Sequence, residues 1–173
     1  FNGFGGGASA LVAGAALIGF TFAESLPTLD VTVATVISGV IGGVTFSGSI
    51  VAFGKLQGLI WERPALFFGR HLVTLILAVV SLGLGAWLVT EPSFVALYLA
   101  VVVVAAVLGI LLVASIGGAD MPVVISLLNS YSGLAAAATG FVLNNNILII
   151  AGSLVGAAGL ILTNLMCRAM NRS

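Results

Sequence analysis

The sequence predicts an all-α membrane protein, a bundle of about six transmembrane helices, and three observations carry that reading. Of 173 residues, 61% are hydrophobic and only 6% are charged, against about 25% charged in an ordinary soluble domain. The few charges are bunched, so the gaps between them reach the ~20 mainly apolar residues that a helix needs to cross a bilayer. Within those gaps the apolar residues run on all sides, without the alternation over ~10 residues that barrel strands show. A soluble domain is therefore excluded, and five Lys and Arg in all do not suggest nucleic acid as a partner.

Uncharged stretches at 1–23, 31–54, 72–90 and 92–119 each hold one span. The 47 residues 121–167 hold two, divided by Asn144-Asn145-Asn146, a polar triplet suited to a turn. The expected helices are 4–23, 31–54, 72–90, 93–116, 122–143 and 147–169. The first opens FNGFGGGASALVAG, with Gly3 and Gly7 four apart, a spacing that lets helix backbones approach closely in lipid. A phosphate-binding glycine loop is set aside, because no strand precedes this run and no Lys-Ser/Thr follows it. The second repeats the helix-packing spacing with Gly39 and Gly43, and carries Thr45, Ser47 and Ser49 near its end. Such hydroxyls usually bond back to their own helix, but Ser49, ~9 Å along the helix from Lys55, is shallow enough to meet water.

The connection 55–71, KLQGLIWERPALFFGRH, mixes charges with Trp61, Phe67 and Phe68. It suits an interfacial segment with Arg63 and Arg70 toward anionic lipid. His71, the only histidine, fits an interfacial residue better than a proton carrier. The third and fourth spans are nearly pure aliphatic and are expected to face lipid, with Pro92 able to start the fourth. The sixth has Gly152 and Gly156 at the packing spacing, with Asn164 a candidate buried amide and the lone Cys167 expected simply to pack.

With six spans the connections alternate between two sides. Lys55, Arg63, Arg70, Arg168 and Arg172 fall on one, with Glu62 and Asp120; Glu24, Asp30 and Glu91 fall on the other. That five-to-none split predicts that the basic side, with both chain ends, is cytoplasmic.

The stretch 117–140, GGADMPVVISLLNSYSGLAAAATG, is where function is expected. Asp120 is followed by Ser126, Asn129, Ser130, Tyr131 and Ser132 in an apolar run, with Asn129 ~13 Å of helix beyond Asp120. Polarity at that depth is costly unless it meets other helices or water. Setting Asn2 over Asn129 also aligns Phe4 with Tyr131, Gly6 with Gly133, Gly39 with Gly152, Gly43 with Gly156 and Lys55 with Arg168. This suggests that the first and last hairpins are parallel copies about an axis along the membrane normal, with Asn2 and Asn129 as paired amides. From the residues alone a proton conduit, a subunit of a secondary transporter or channel, and a helix-packing scaffold all stay open, though a scaffold leaves the polar residues 126–132 unexplained.

The runs ASIGGADMPVVISLLNSYSGLAAAATGF, LVGAAGLILTNLMCRAMNRS and GGVTFSGSIVAFGKLQG closely resemble the membrane domain of the beta subunit of proton-translocating NAD(P) transhydrogenase, over all 173 residues. The resemblance implies a transmembrane proton-translocating domain at 1–173, with further helices before residue 1 and an NADP(H)-binding domain after residue 173. It implies a translocase in which hydride passes between NAD(H) and NADP(H), both held by soluble domains outside these residues, as a proton crosses the membrane. No cofactor, metal or redox site is expected within the chain. The family's proton path maps onto Asn2, Ser49 and Asn129, and its coupling region onto Asp120, Arg168 and Arg172. Many relatives have a histidine where this chain has Asn2, and an amide cannot titrate at working pH, so the proton-accepting group is expected from elsewhere, such as a histidine of a partner subunit. The implied partners are one or more alpha subunits, the chain's own C-terminal domain, a second copy of the whole enzyme and the lipid bilayer. The implied location is the bacterial inner membrane, or the mitochondrial inner membrane in a eukaryote.

Overall fold

The computed structural model describes residues 1–60 and 68–171. Among the described residues six α-helices follow one another: α1 (Asn2–Phe22), α2 (Leu29–Leu56), α3 (Arg70–Thr90), α4 (Val95–Ala114), α5 (Met121–Val142) and α6 (Asn146–Ala169), with a 3₁₀ turn at Gly118–Asp120 before α5. All six are long and apolar enough to cross a membrane, and the described residues contain no strand. The expected six-helix bundle is therefore what the chain forms, with ends within about three residues of those read from the sequence.

Local chemistry accounts for two of those ends. Asn144 stops α5 in the left-handed region (φ 52°), which asparagine tolerates better than most residues. Asn145 then caps α6, its Oδ1 accepting from the Leu148 N–H at 3.1 Å. At 91–94 the outcome differs from expectation. Pro92 stays in the turn, where the Phe94 N–H bonds the Glu91 carbonyl at 3.3 Å, and α4 begins at Val95.

Residue pairs in contact give the helix directions. Asn2 meets Ile125 and Ser9 meets Thr139, so α1 and α5 run parallel. Gly6 meets Gly42 and Gly3 meets Ser49, so α2 is antiparallel to α1. Lys55, Asp120 and Arg168 lie at one end of the bundle, the basic end. Glu24, Asp30 and Glu91 lie at the other.

The centre is α2, which packs on α1, α4 and α5. Glycines set the spacing: a methyl group at Gly42 would lie 2.5 Å from the Gly6 carbonyl oxygen, and one at Gly43 would lie 3.0 Å from the Val102 carbonyl oxygen. Gly39 lies against the Tyr98 ring, whose hydroxyl donates to the Ala10 carbonyl at 2.6 Å. The expectation that α4 faces lipid is corrected here. Tyr98, Val101, Ala105, Leu108, Gly109 and Val113 form a buried face on α2, because Gly43, Gly48 and Gly109 remove the side chains that would hold the two helices apart. By contrast α3 is peripheral and buries Ser81, Gly85 and Leu88.

α6 docks on α5 through Gly152, Gly156 and Gly159, its only buried residues. Asn164, expected to be buried, is exposed on this helix, because the glycine stripe turns the opposite face inward. At the end away from Lys55, α1 outruns α5. Val142, the last residue of α5, clusters with Ala13 and Leu17, and α1 continues to Phe22, roughly 10 Å further at 1.5 Å per residue.

Candidate functional site

A polar seam runs where α1, α2 and α5 meet. At its basic end Asn2 Nδ2 donates to the Ile125 carbonyl at 3.2 Å, the same oxygen that the α-helical pattern assigns to the Asn129 N–H. Asn129 and Ser132 follow Ile125 at i+4 and i+7, on one face of α5. Gly5 of α1 lies directly against Ser132 Oγ. Asn2 and Asn129 are both half-buried, and the carbonyl that Asn2 meets belongs to the residue one helical turn before Asn129. A Cβ added at Gly3 would lie 3.0 Å from Ser49 Cβ and 3.6 Å from Ser49 Oγ, which places Ser49 on the third side of the seam. Ser49 Oγ is buried and has no hydrogen-bond partner among the described residues.

Further along, Thr45 lies against Gly6 and returns its hydroxyl to the Ile41 carbonyl at 2.6 Å. Beyond it Ser38 and Thr139 share a hydrogen bond of 2.7 Å, and both approach the Ser9 carbonyl, at 3.1 and 3.5 Å. One hydroxyl pair thus joins three helices. Above it the seam turns apolar at Ala13, Leu17, Ala34 and Val142.

The hydroxyls of residues 126–132 do not form one patch. Ser126 and Ser130 face α6 in dry bonds to the Gly159 carbonyl (3.2 Å) and the Gly156 carbonyl (2.7 Å), with Thr163 Oγ1 donating to Ser126 Oγ at 3.1 Å. Tyr131 packs beside the buried clusters of α2 and α4. Only Asn129 and Ser132 belong to the face turned to α1. A helix repeat of 3.6 divides neighbours in sequence among different partners.

Of the residues assigned to coupling, Asp120 is half-buried at the N-terminus of α5, where a carboxylate complements the helix dipole. Arg168 is exposed in the last turn of α6, at the same end of the bundle. Arg172 lies outside the described residues, as do Trp61, Glu62, Arg63 and Phe67 of the interfacial segment. His71 is exposed and accepts from Arg70 Nε at 3.2 Å. Gly39, Gly43, Gly152 and Gly156 are all buried at helix contacts.

Sequence reasoning gave Lys55 no structural role and passed over Ser9, Ser38 and Thr139. Lys55 was read as the start of a loop. It belongs to the last turn of α2, is 2% exposed, and its ammonium donates to the Ala114 carbonyl (2.7 Å) and the Ile116 carbonyl (2.6 Å). It caps the C-terminus of α4, where a cation meets the negative end of the helix dipole. It also ties α2 to the connection leading to Asp120. The other three hydroxyls stand in small-residue runs, GGASA, ISGV and AAATG, and a hydroxyl among residues that permit close helix approach is the signal that could have found them.

Comparison with known proteins agrees with this architecture. The family model described as NAD(P) transhydrogenase beta subunit matches residues 1–173. Two Rhodospirillum rubrum sequences called NAD(P) transhydrogenase subunit beta are each similar to it, 51% identical over 133 residues, which is 77% of this chain and 28% of the relative. The chain thus spans less than a third of the length of these relatives. Six spanning helices and the match along the whole chain make it an integral membrane protein, and the chain belongs to the NAD(P) transhydrogenase beta subunit family.

Proposed function

We propose that these residues form the proton conduit of a proton-translocating NAD(P) transhydrogenase, coupling proton movement across the membrane to hydride transfer between NAD(H) and NADP(H). The observation that carries this reading is Ser49 Oγ, buried beside Gly3 and without a hydrogen-bond partner among the described residues. A buried hydroxyl of this kind is normally satisfied by ordered water, and the Asn2 and Asn129 carboxamides offer further donors and acceptors along the seam. Asn2, Ser49 and Asn129 hold the water, and Ser132 continues the path along α5. The amides cannot themselves titrate, so the proton-accepting group is supplied by a partner, in the simplest case an imidazole of an alpha subunit.

On this reading NAD(H) and NADP(H) bind soluble domains outside these residues, the latter on the chain's own C-terminal side, and the whole enzyme is a homodimer. The basic end faces the cytoplasm, or the equivalent compartment, across a bacterial or mitochondrial inner membrane. Asp120 and Arg168 face the soluble domains there, and Arg172, outside the described residues, is assigned to the same coupling region. Alternating access demands that the conduit never open to both sides at once, so its state follows the nucleotide. Asn129→Leu in the whole enzyme is expected to lower proton-coupled turnover at least tenfold while nucleotide affinity stays within about twofold. Reconstituted vesicles with a pH-sensitive dye measure the first and titration of the soluble domains the second. Unchanged pumping by this variant rules the conduit out.

A further inference from the structure

The seam changes character abruptly. From the basic end it is lined by amides and hydroxyls as far as Ser38 and Thr139, and one turn later it is filled by Ala13, Leu17 and Val142. Ser38 is 0% and Thr139 4% exposed, so this is a buried polar pair at the border of a dry plug.

The pair has a further property. Its 2.7 Å bond can run either way. With Ser38 donating to Thr139, the Thr139 hydroxyl donates to the Ala135 carbonyl at 2.9 Å. With Thr139 donating to Ser38, the Ser38 hydroxyl donates to the Ser9 carbonyl at 3.1 Å. Both arrangements leave every hydroxyl hydrogen bonded, and they reverse the direction of the shared bond. Two nearly equivalent polarities are what a hydroxyl relay needs, because it must be reset after each proton passes. A pair serving only to fasten helices together needs one.

We propose that Ser38 and Thr139 are the outermost relay of the proton path, and that Leu17 and Val142 form the barrier that must part for the proton to leave. This rests on the conduit reading above. In the transfer step an incoming hydronium gives a proton to Ser38 Oγ as the proton already there moves to Thr139 Oγ. The Thr139 hydroxyl turns from the Ala135 carbonyl and passes its proton to a water admitted between Leu17 and Val142. Each oxygen ends with the proton count it began with, one water at the inner side has lost a proton and one at the outer side has gained it, and rotation of the two hydroxyls restores the starting polarity. Apolar constrictions of this kind close a path by excluding water.

The test uses the whole enzyme, reconstituted in vesicles. Thr139→Val keeps the shape and removes the hydroxyl, and is expected to reduce proton pumping at least tenfold. Thr139→Ser keeps the hydroxyl and is expected to retain more than half. Leu17→Ser is expected to raise the passive proton leak, measured without nucleotide, at least threefold. Near-normal pumping by Thr139→Val overturns the relay, and so does an equal loss in Thr139→Val and Thr139→Ser, which would mark a packing role. If Thr139→Val does not fold, the relay stands or falls on the Thr139→Ser and Leu17→Ser results, and a Leu17→Ser enzyme as tight as the unsubstituted one overturns the barrier. Loss of pumping in Asn129→Leu together with normal pumping in Thr139→Val separates failure of the relay from failure of the conduit.

Discussion

Gly152→Leu is expected to detach α6 from α5. A methyl group at this position would lie 2.5 Å from the Ala137 nitrogen, 2.7 Å from the Gly133 carbonyl oxygen and 2.9 Å from the Ala137 Cα. All three are backbone atoms, so no flexible side chain can give way, whereas non-bonded heavy atoms rest at about 3.5–4.0 Å. Even alanine forces the helices about 1 Å apart, and leucine forces them much further. Separation also breaks the bonds from Ser126 and Ser130 to α6, each worth ~0.6–2 kcal/mol inside a membrane. Overpacking adds about 1–3 kcal/mol, for a total of about 2–7 kcal/mol. Because α6 buries only its three glycines, little else holds it. A disulfide engineered with Ser126→Cys and Thr163→Cys, in a Cys167→Ser background, reads the outcome. It is expected to form readily with Gly152 in place and to fail in Gly152→Leu. Equal cross-linking in both would show that the glycine stripe does not set the distance.

Lys55→Met is expected to destabilise the basic end by about 2–4 kcal/mol, since each hydrogen bond to a charged group contributes ~1.5–3 kcal/mol and buried acceptors left unpaired cost ~1–3 kcal/mol. The Ala114 and Ile116 carbonyls would lose the ammonium that caps α4. For a chain of this size that corresponds to a melting temperature lower by roughly 10 °C, measured on the purified protein in detergent. Leu56→Met, an exposed neighbour on the same turn, is the control and should leave melting within about 2 °C. Faster amide hydrogen exchange at Gly117–Asp120 in Lys55→Met would localise the loosening. Unaltered melting and exchange would mean that the lysine is held by its surroundings without holding them in turn.

The helices were legible in the sequence because their signals are local. Span length, uncharged gaps and the Asn144–Asn146 turn all act within a few residues. Which face of a helix meets which neighbour depends on contacts between residues far apart in the chain, and this is where expectation and structure part. The aliphatic run of α4 reads as lipid-facing, but Gly43 and Gly109 let α2 press against it. Ser126 and Ser130 look like members of a polar patch with Asn129, yet they turn toward α6, because a helix sends residues three and four apart to one side and their neighbours elsewhere. Asn2 and Asn129 are paired in sequence only by an alignment of small residues; what the structure shows is α1 beside α5, running parallel to it. The burial of Lys55 escaped notice because a lysine at the end of a span reads as a surface residue unless the carbonyls of another helix are known to wait beside it.

The unequal reach of α1 and α5 bears on where an electric field would act. Water and ions short-circuit a voltage, so the drop is concentrated in whatever insulating material remains along the path. α5 ends roughly 10 Å below the tip of α1, and the apolar cluster over Ser38 and Thr139 extends outward through Ala34 to Val31 on α2, about two helical turns. On the conduit reading proposed above, the greater part of the ~2.3 kcal/mol that a unit charge exchanges with each 100 mV falls across that apolar cluster.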